Sequence, residues 1–100
     1  MTPIRITSEG SGIGVSGELD AQSAPTLEAA AAKLSGSVDL DLSECSFIDS
    51  AGLTSLLLIR DRIIDRGGSM TIVGLSDSAR RLIEICGLSE TFGVHHDALD

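Results

Sequence analysis

Alternating apolar and polar residues predict a pair of strands at the start of the chain. Ile4 and Ile6 alternate with polar neighbours until Gly10-Ser11-Gly12 interrupts the pattern, and Ile13 and Val15 then resume it. A period of two is typical of a half-buried strand, and a short glycine-containing break between two such runs is typical of a hairpin. The first 20 residues therefore predict a β-hairpin.

Three later segments predict helices, because their apolar residues recur every three or four positions. They lie within residues 23–36, 50–66 and 76–87. A serine or an aspartate stands at the start of each segment and a glycine at its end. These residue types are favoured at the N-cap and just beyond the C-cap, respectively, so the segments are predicted to begin and end there.

Shorter alternating runs between and after the helices predict further strands. Residues 38–42 and 70–73 are two such runs, and Phe92-Gly93-Val94 is predicted to be a last short strand. The predicted order is β-β-α-β-α-β-α, and strands separated by a helix favour parallel pairing. The sequence thus predicts one α/β domain, a mixed sheet of four to five strands flanked by helices. Its core covers about residues 4–94, and the polar tail 95–100 is predicted to be loose.

Length and charge restrict the classes of partner. The chain has 100 residues, of which 42% are hydrophobic, and a net charge of −8. A negative surface repels nucleic acid and anionic membranes on average, so direct binding to either is not expected. No apolar run approaches the roughly 20 residues that a membrane-spanning helix needs. The N-terminus also lacks the layout of a signal peptide, and we therefore predict a cytoplasmic protein.

The two cysteines, Cys45 and Cys86, are predicted to be buried small side chains, because each lies among apolar residues. Two cysteines do not form a disulfide framework of the secreted kind. A reversible Cys45–Cys86 disulfide that controls partner binding is an alternative, and it requires Cα atoms within about 7 Å.

Catalytic and cofactor-binding interpretations have little support. Residues 12–17 match the glycine fingerprint of dinucleotide-binding folds, but there the last glycine opens a helix, whereas these glycines follow a strand pattern. A hydrolase triad of Ser50, an aspartate and His95 or His96 lacks the Gly-x-Ser-x-Gly elbow. A metal site at His95-His96-Asp97 is disfavoured, since adjacent residues of an extended chain point to opposite faces. We expect no enzymatic activity, no cofactor and no metal.

The start of the second helix carries the chemistry of most interest. Asp49 stands at the N-cap position, which places Ser50 in the first turn. The first turn has unpaired backbone N–H groups and the positive end of the helix dipole, so an anion such as phosphate is favoured there. On these grounds alone, an ordinary aspartate-capped helix start remains the simpler interpretation.

Several motifs resemble landmarks of one family. The run Phe47-Ile48-Asp49-Ser50-Ala51-Gly52-Leu53 resembles the signature of anti-sigma-factor antagonists of the STAS-domain family. Gly17-Glu18-Leu19-Asp20 is similar to the family's second hallmark. Gly67-Gly68 before a strand, and Ser78–Leu82 leading to Cys86-Gly87-Leu88, are similar to later landmarks. Because these motifs follow one another in the expected order, the chain is identified as a member of that family.

The resemblance implies a regulatory cycle. Antagonists of this family are not enzymes; each binds an anti-sigma factor that is also a serine kinase, and so releases a sigma factor. The kinase phosphorylates the serine of the signature and ends the binding, and a separate phosphatase restores it. In this chain the resemblance implies that Ser50 is the phosphoacceptor and that the phosphatase acts on phospho-Ser50.

The resemblance also implies a set of partner-binding residues. Asp49 would orient the Ser50 hydroxyl or meet the nucleotide site of the kinase, and Gly52 would leave the backbone open to a partner. The predicted partner-binding residues are Asp20, Asp49, Ser50, Ala51, Gly52 and Leu53. Ala51 and Thr54 stand where some members have serine and glycine, and Thr54 is an alternative second phosphorylation site.

A different function within the same fold remains open. Some STAS proteins are subunits of ABC-type lipid transporters, in which they support the ATPase. The intact Asp49-Ser50 pair and the Gly17–Asp20 segment favour the antagonist. Co-purification with an ATPase subunit would favour the transporter.

Overall fold

A computed structural model describes residues 4–94. Within this range the order of elements is β-β-α-β-α-β-α, which confirms the prediction. The elements are β1 (Arg5–Glu9), β2 (Gly12–Leu19), α1 (Ala24–Ala31), β3 (Ser37–Ile48), α2 (Ser50–Asp65), β4 (Ser69–Leu75) and α3 (Asp77–Ile85).

Within residues 4–94 the sheet has four strands in the order β1-β2-β3-β4. β1 and β2 form the predicted antiparallel hairpin, whereas β2, β3 and β4 pair in parallel. The pairing follows from the connections, because two strands joined by a helix can easily run in the same direction. The prediction of a mixed sheet is therefore confirmed.

The core lies between one face of the sheet and the helices. Along β2, buried residues alternate with half-buried ones, and the four buried positions are Ile13, Val15, Gly17 and Leu19. The apolar sides of the helices complete the core, and Leu27, Leu56 and Ile83 are fully buried. The opposite face of β3 carries polar side chains that are exposed, such as Asp39 and Asp41. The domain is thus a sheet whose apolar face is covered by helices.

β3 is longer than the sequence predicts. The alternating pattern stops after Leu42, but the strand continues to Ile48 and pairs with β2 up to the contact of Leu19 with Ile48. The register shifts twice along this pair, between Gly14 and Ser16 and between Gly17 and Glu18. Such irregularities change which residues face the core, and Cys45 and Ile48 are buried at a spacing of three instead of two. Because this spacing breaks the period of two, the sequence pattern does not predict the second half of β3.

Two further predictions differ from the structure, the end of α1 and the last strand. α1 ends at Ala31 and not near Gly36, because the amides of Lys33 and Leu34 bond to carbonyls only three residues earlier in a tightened last turn. The predicted strand at residues 92–94 is wrong.

Phe92 and Gly93 lie in a turn, and the amides of residues 92–94 bond locally to the carbonyl oxygens of Leu88, Glu90 and Ser89, respectively. Phe92 is buried in the core, which accounts for an apolar residue at this position in the turn.

Two further predictions lie outside the described residues. They are the loose tail at 95–100 and the chemistry considered for its histidines. Within residues 4–94, no helix combines the length and the apolarity that crossing a bilayer requires.

Candidate functional site

Ser50 is the first residue of α2 and its side chain is exposed. Asp49 precedes it in an extended conformation, with φ −114° and ψ −174°, and its Oδ1 accepts a hydrogen bond from the Gly52 amide at 2.9 Å. The carbonyl of Asp49 accepts the Leu53 amide at 2.9 Å. The predicted N-cap is therefore confirmed, and it presents the Ser50 hydroxyl to solvent in the first helical turn.

Thr54 lies one turn further along the exposed side of α2. Its Oγ1 donates a hydrogen bond to the Ser50 carbonyl oxygen at 2.9 Å. Such a bond to the carbonyl four residues earlier is a common use of a helical threonine hydroxyl. The hydroxyl is accessible, and its phosphorylation stays a prediction.

The loop after β2 lies beside the start of α2. Leu19 pairs with Ile48, so Asp20 and Asp49 leave two neighbouring parallel strands at the same edge of the sheet. The Asp49 amide donates to the Leu19 carbonyl oxygen at 3.3 Å, which joins the loop to the N-cap. The two sequence motifs that carry the family resemblance thus meet at one edge.

Gly52 and Leu53 lie beneath this surface and not on it. Both residues are buried, with Leu53 4% exposed. A Cβ on Gly52 would overlap the Leu19 carbonyl oxygen and lie 3.0 Å from the Leu19 Cγ. The glycine therefore permits close approach by the neighbouring loop of the same chain. Contact of Gly52 with a partner stays a prediction.

Phe47 adds an apolar side chain to the same edge, although it is not among the predicted partner-binding residues. It is 47% exposed, two positions before Asp49, and it pairs with Glu18 across β2 and β3. In a strict alternation one of the neighbours Phe47 and Ile48 faces the core, and here Ile48 does. A strand in which Ile48 faces the core must place Phe47 on the opposite face, and this alternation is the signal by which the sequence could have identified Phe47.

The two cysteines differ in environment. Cys45 is fully buried and its Sγ donates to the Phe47 carbonyl oxygen at 3.3 Å. Burial raises the pKa of the Cys45 thiol, although hydrogen bonds with the backbone of Phe47 and Leu19 oppose this effect. Cys86 is exposed, so the prediction that it is buried is wrong; it follows the last helical residue of α3, where the chain leaves the core. Both thiols are free.

The glycines at residues 12–17 lie inside β2, as the strand pattern predicted. The helix that follows, α1, begins only at Ala24. This geometry does not provide the strand-to-helix turn on which a dinucleotide fingerprint depends.

Comparison with known proteins defines the class. The family model described as "Mlab, STAS domain" matches residues 3–95. The chain therefore belongs to the STAS-domain family, as the resemblance of its motifs predicted.

Individual relatives are more specific. An anti-sigma-B factor antagonist from Listeria monocytogenes is 38% identical over 82 residues, which cover 78% of this chain and 72% of the relative. The crystal structure of an anti-sigma factor antagonist from Mycobacterium paratuberculosis matches with a TM-score of 0.75 and 28% identity, covering 95% of this chain and 86% of that one. The anti-sigma factor antagonist SpoIIAA, in its unphosphorylated form, shares the fold with a TM-score of 0.63 and 15% identity over 82% of each chain.

Proposed function

We propose that this protein is an anti-sigma-factor antagonist that is switched off by phosphorylation of Ser50. The observation that carries the proposal is the exposed Ser50 hydroxyl directly after the Asp49 cap. It occurs in a chain that is 38% identical to a protein named as an anti-sigma-B factor antagonist. The relatives support a regulatory role, and we propose that the protein acts in the cytoplasm without catalytic activity of its own.

The proposed contact surface is the exposed part of the edge described above. Asp49, Ser50 and Ala51 form its centre, with Asp20 on the adjacent loop, and Phe47 extends it with apolar area. Gly52 and Leu53 act from below by holding the start of α2 against Leu19. The partner is an anti-sigma factor with serine kinase activity, and a phosphatase acts on phospho-Ser50.

The electrostatics of this surface explain how one phosphate ends the binding. A phosphate on Ser50 adds close to two negative charges next to Asp49. A partner surface fitted to the bare hydroxyl would have to desolvate this charge without a counter-ion. A cost of about 3–5 kcal/mol, as for an unpaired buried charge, weakens binding by a few hundred-fold to several thousand-fold.

The fold itself need not change. A phosphate at the first helical turn is compatible with the positive end of the helix dipole. We therefore expect the phosphorylated and unmodified chains to have similar backbones. Large NMR shift differences spread through the sheet would contradict this.

Affinity purification from the protein's own cells tests the proposal. Tagged chains would carry Ser50→Ala, Ser50→Asp or the control Ser35→Asp, which adds the same charge at an exposed position before β3. We expect the unmodified chain, Ser50→Ala and Ser35→Asp to recover an anti-sigma factor with a kinase domain, and Ser50→Asp to recover at least tenfold less. Equal recovery by all variants would contradict the switch, and recovery of a transporter ATPase would favour the transport function.

A further inference from the structure

The Ser23 hydroxyl holds together the loop between β2 and α1. Its Oγ accepts a hydrogen bond from the Asp20 amide at 3.0 Å and donates to the Glu18 carbonyl oxygen at 2.8 Å. Ser23 stands at the N-cap position of α1, but its side chain makes no capping bond to that helix. The hydroxyl instead binds the residues on both sides of Leu19, and so fixes the Leu19 peptide.

The Asp20 carboxylate is also used within this loop. Its Oδ1 accepts the amides of Gln22 at 3.1 Å and Ser23 at 3.0 Å, and the Ser23 Oγ lies 3.1 Å from it. The Asp20 carbonyl oxygen accepts the Ala24 amide at 2.8 Å. Asp20 is only half-buried, yet one oxygen of its carboxylate is already occupied by its own chain.

Leu19 transmits the position of this loop to the start of α2. Its carbonyl oxygen accepts the Asp49 amide and occupies the space that a Cβ on Gly52 would need. A shift of the Leu19 peptide would therefore move Asp49, or open its hydrogen bond, and displace Ser50. Because Gly52 already leaves no space for even a methyl group, the contact tolerates little displacement.

We propose that Ser23 is a positioning residue for Ser50, and that Asp20 acts with it by shaping the loop and not through its charge on a partner. The positioning itself is a property of the isolated chain. Only its consequence for partner binding rests on the function proposed above.

Amide hydrogen exchange on the isolated chain tests the positioning. The variants are Ser23→Ala, the conservative Ser23→Thr that keeps a hydroxyl, and the control Ser37→Ala at an exposed position at the opposite end of β3. We expect the Asp49 amide to exchange about 3- to 10-fold faster in Ser23→Ala, the effect of losing one hydrogen bond.

The exchange of the Ala79 amide in α3, which donates to the Oγ of the N-cap residue Ser76, gives the internal reference. We expect Ala79 to be unchanged, and Ser23→Thr and Ser37→Ala to resemble the unmodified chain. Faster exchange confined to residues 18–24, or an equal increase at Ala79 and Asp49, would overturn the proposal.

A binding measurement with Asp20→Asn separates shape from charge. This variant keeps the Oδ1 acceptor and removes the charge. With the anti-sigma factor recovered by the unmodified chain, we expect Ser23→Ala to weaken binding about 3- to 10-fold and Asp20→Asn to weaken it less than Ser23→Ala does. The reverse result would show that Asp20 is a charged contact and would overturn its part of the proposal.

Failure of the proposed function can be distinguished from failure of the positioning role of Ser23. If the unmodified chain recovers no anti-sigma factor, the function fails, whereas the exchange measurement still decides whether Ser23 positions Ser50.

Discussion

The contact between Gly52 and Leu19 predicts that Gly52→Ala is destabilising although alanine is a better helix former. The added Cβ would overlap the Leu19 carbonyl oxygen and lie 3.1 Å from the Ile48 Cγ1. The overlapping atom belongs to the backbone of a paired strand, so it cannot turn away as a flexible side chain could.

The expected magnitude follows from two opposing effects. Overpacking in a rigid interior costs about 1–3 kcal/mol, and more where backbone must move. Replacing glycine by alanine in a helix returns up to about 1 kcal/mol. We therefore expect a net loss of about 1–2 kcal/mol in the free energy of unfolding. For a domain of this size, that corresponds to a melting temperature lower by roughly 4–15 °C.

Thermal and urea unfolding followed by circular dichroism measure this loss. Thr54→Ala, on the exposed side of the same helix, is the control and should change the free energy of unfolding by less than about 0.5 kcal/mol. An unchanged or raised melting temperature in Gly52→Ala would show that the start of α2 does not lie against Leu19, and would refute the reasoning.

Four other residues give three simpler tests. Asp49→Ala removes the N-cap of α2 and should cost about 0.5–2 kcal/mol in urea unfolding, whereas Asp49→Asn, which keeps the acceptor, should cost much less; equal losses would contradict the capping role. Hydrogen bonds from Ser43 hold the pKa of Asp41 below its usual value, so Asp41 contributes stability above its unfolded pKa that is lost as the pH falls through its folded pKa. On acidification from about pH 5 to pH 3, the unmodified chain should lose more stability than Asp41→Asn, and parallel curves would contradict this. Because Cys45 is buried and Cys86 exposed, a thiol reagent should label Cys86 rapidly and Cys45 only after unfolding; fast labelling of both would contradict the burial of Cys45.

Most of the fold could be predicted because its elements keep regular periods. β2 alternates without exception, and α2 is preceded by the N-cap Asp49 and followed closely by two glycines, so local pattern and capping agree with the tertiary structure. The second half of β3 could not be predicted, since its register shifts depend on pairing with β2. Phe92 was misassigned because burial in a turn and burial in a strand select the same apolar residue.

The chemistry of the candidate site could be predicted from the sequence, whereas the contacts that hold the site in place could not. The cap by Asp49 and the exposure of Ser50 follow from local sequence. The roles of Gly52 and Ser23 do not, because both depend on Leu19, more than 30 positions before Gly52 and on another strand. Contacts of this kind can be predicted only when the parallel pairing of β2 with β3 is known.

The central claim is that phosphorylation of Ser50 decides whether the protein binds its anti-sigma factor. The most direct measurement is quantitative mass spectrometry of Ser50 in two fractions from the protein's own cells, the free chain and the chain bound to an anti-sigma factor. We predict that phospho-Ser50 occurs in the free fraction and is depleted at least a hundredfold in the bound fraction. Equal occupancy in both fractions, or a complex that forms and dissociates while phospho-Ser50 is absent from both fractions, would contradict the account.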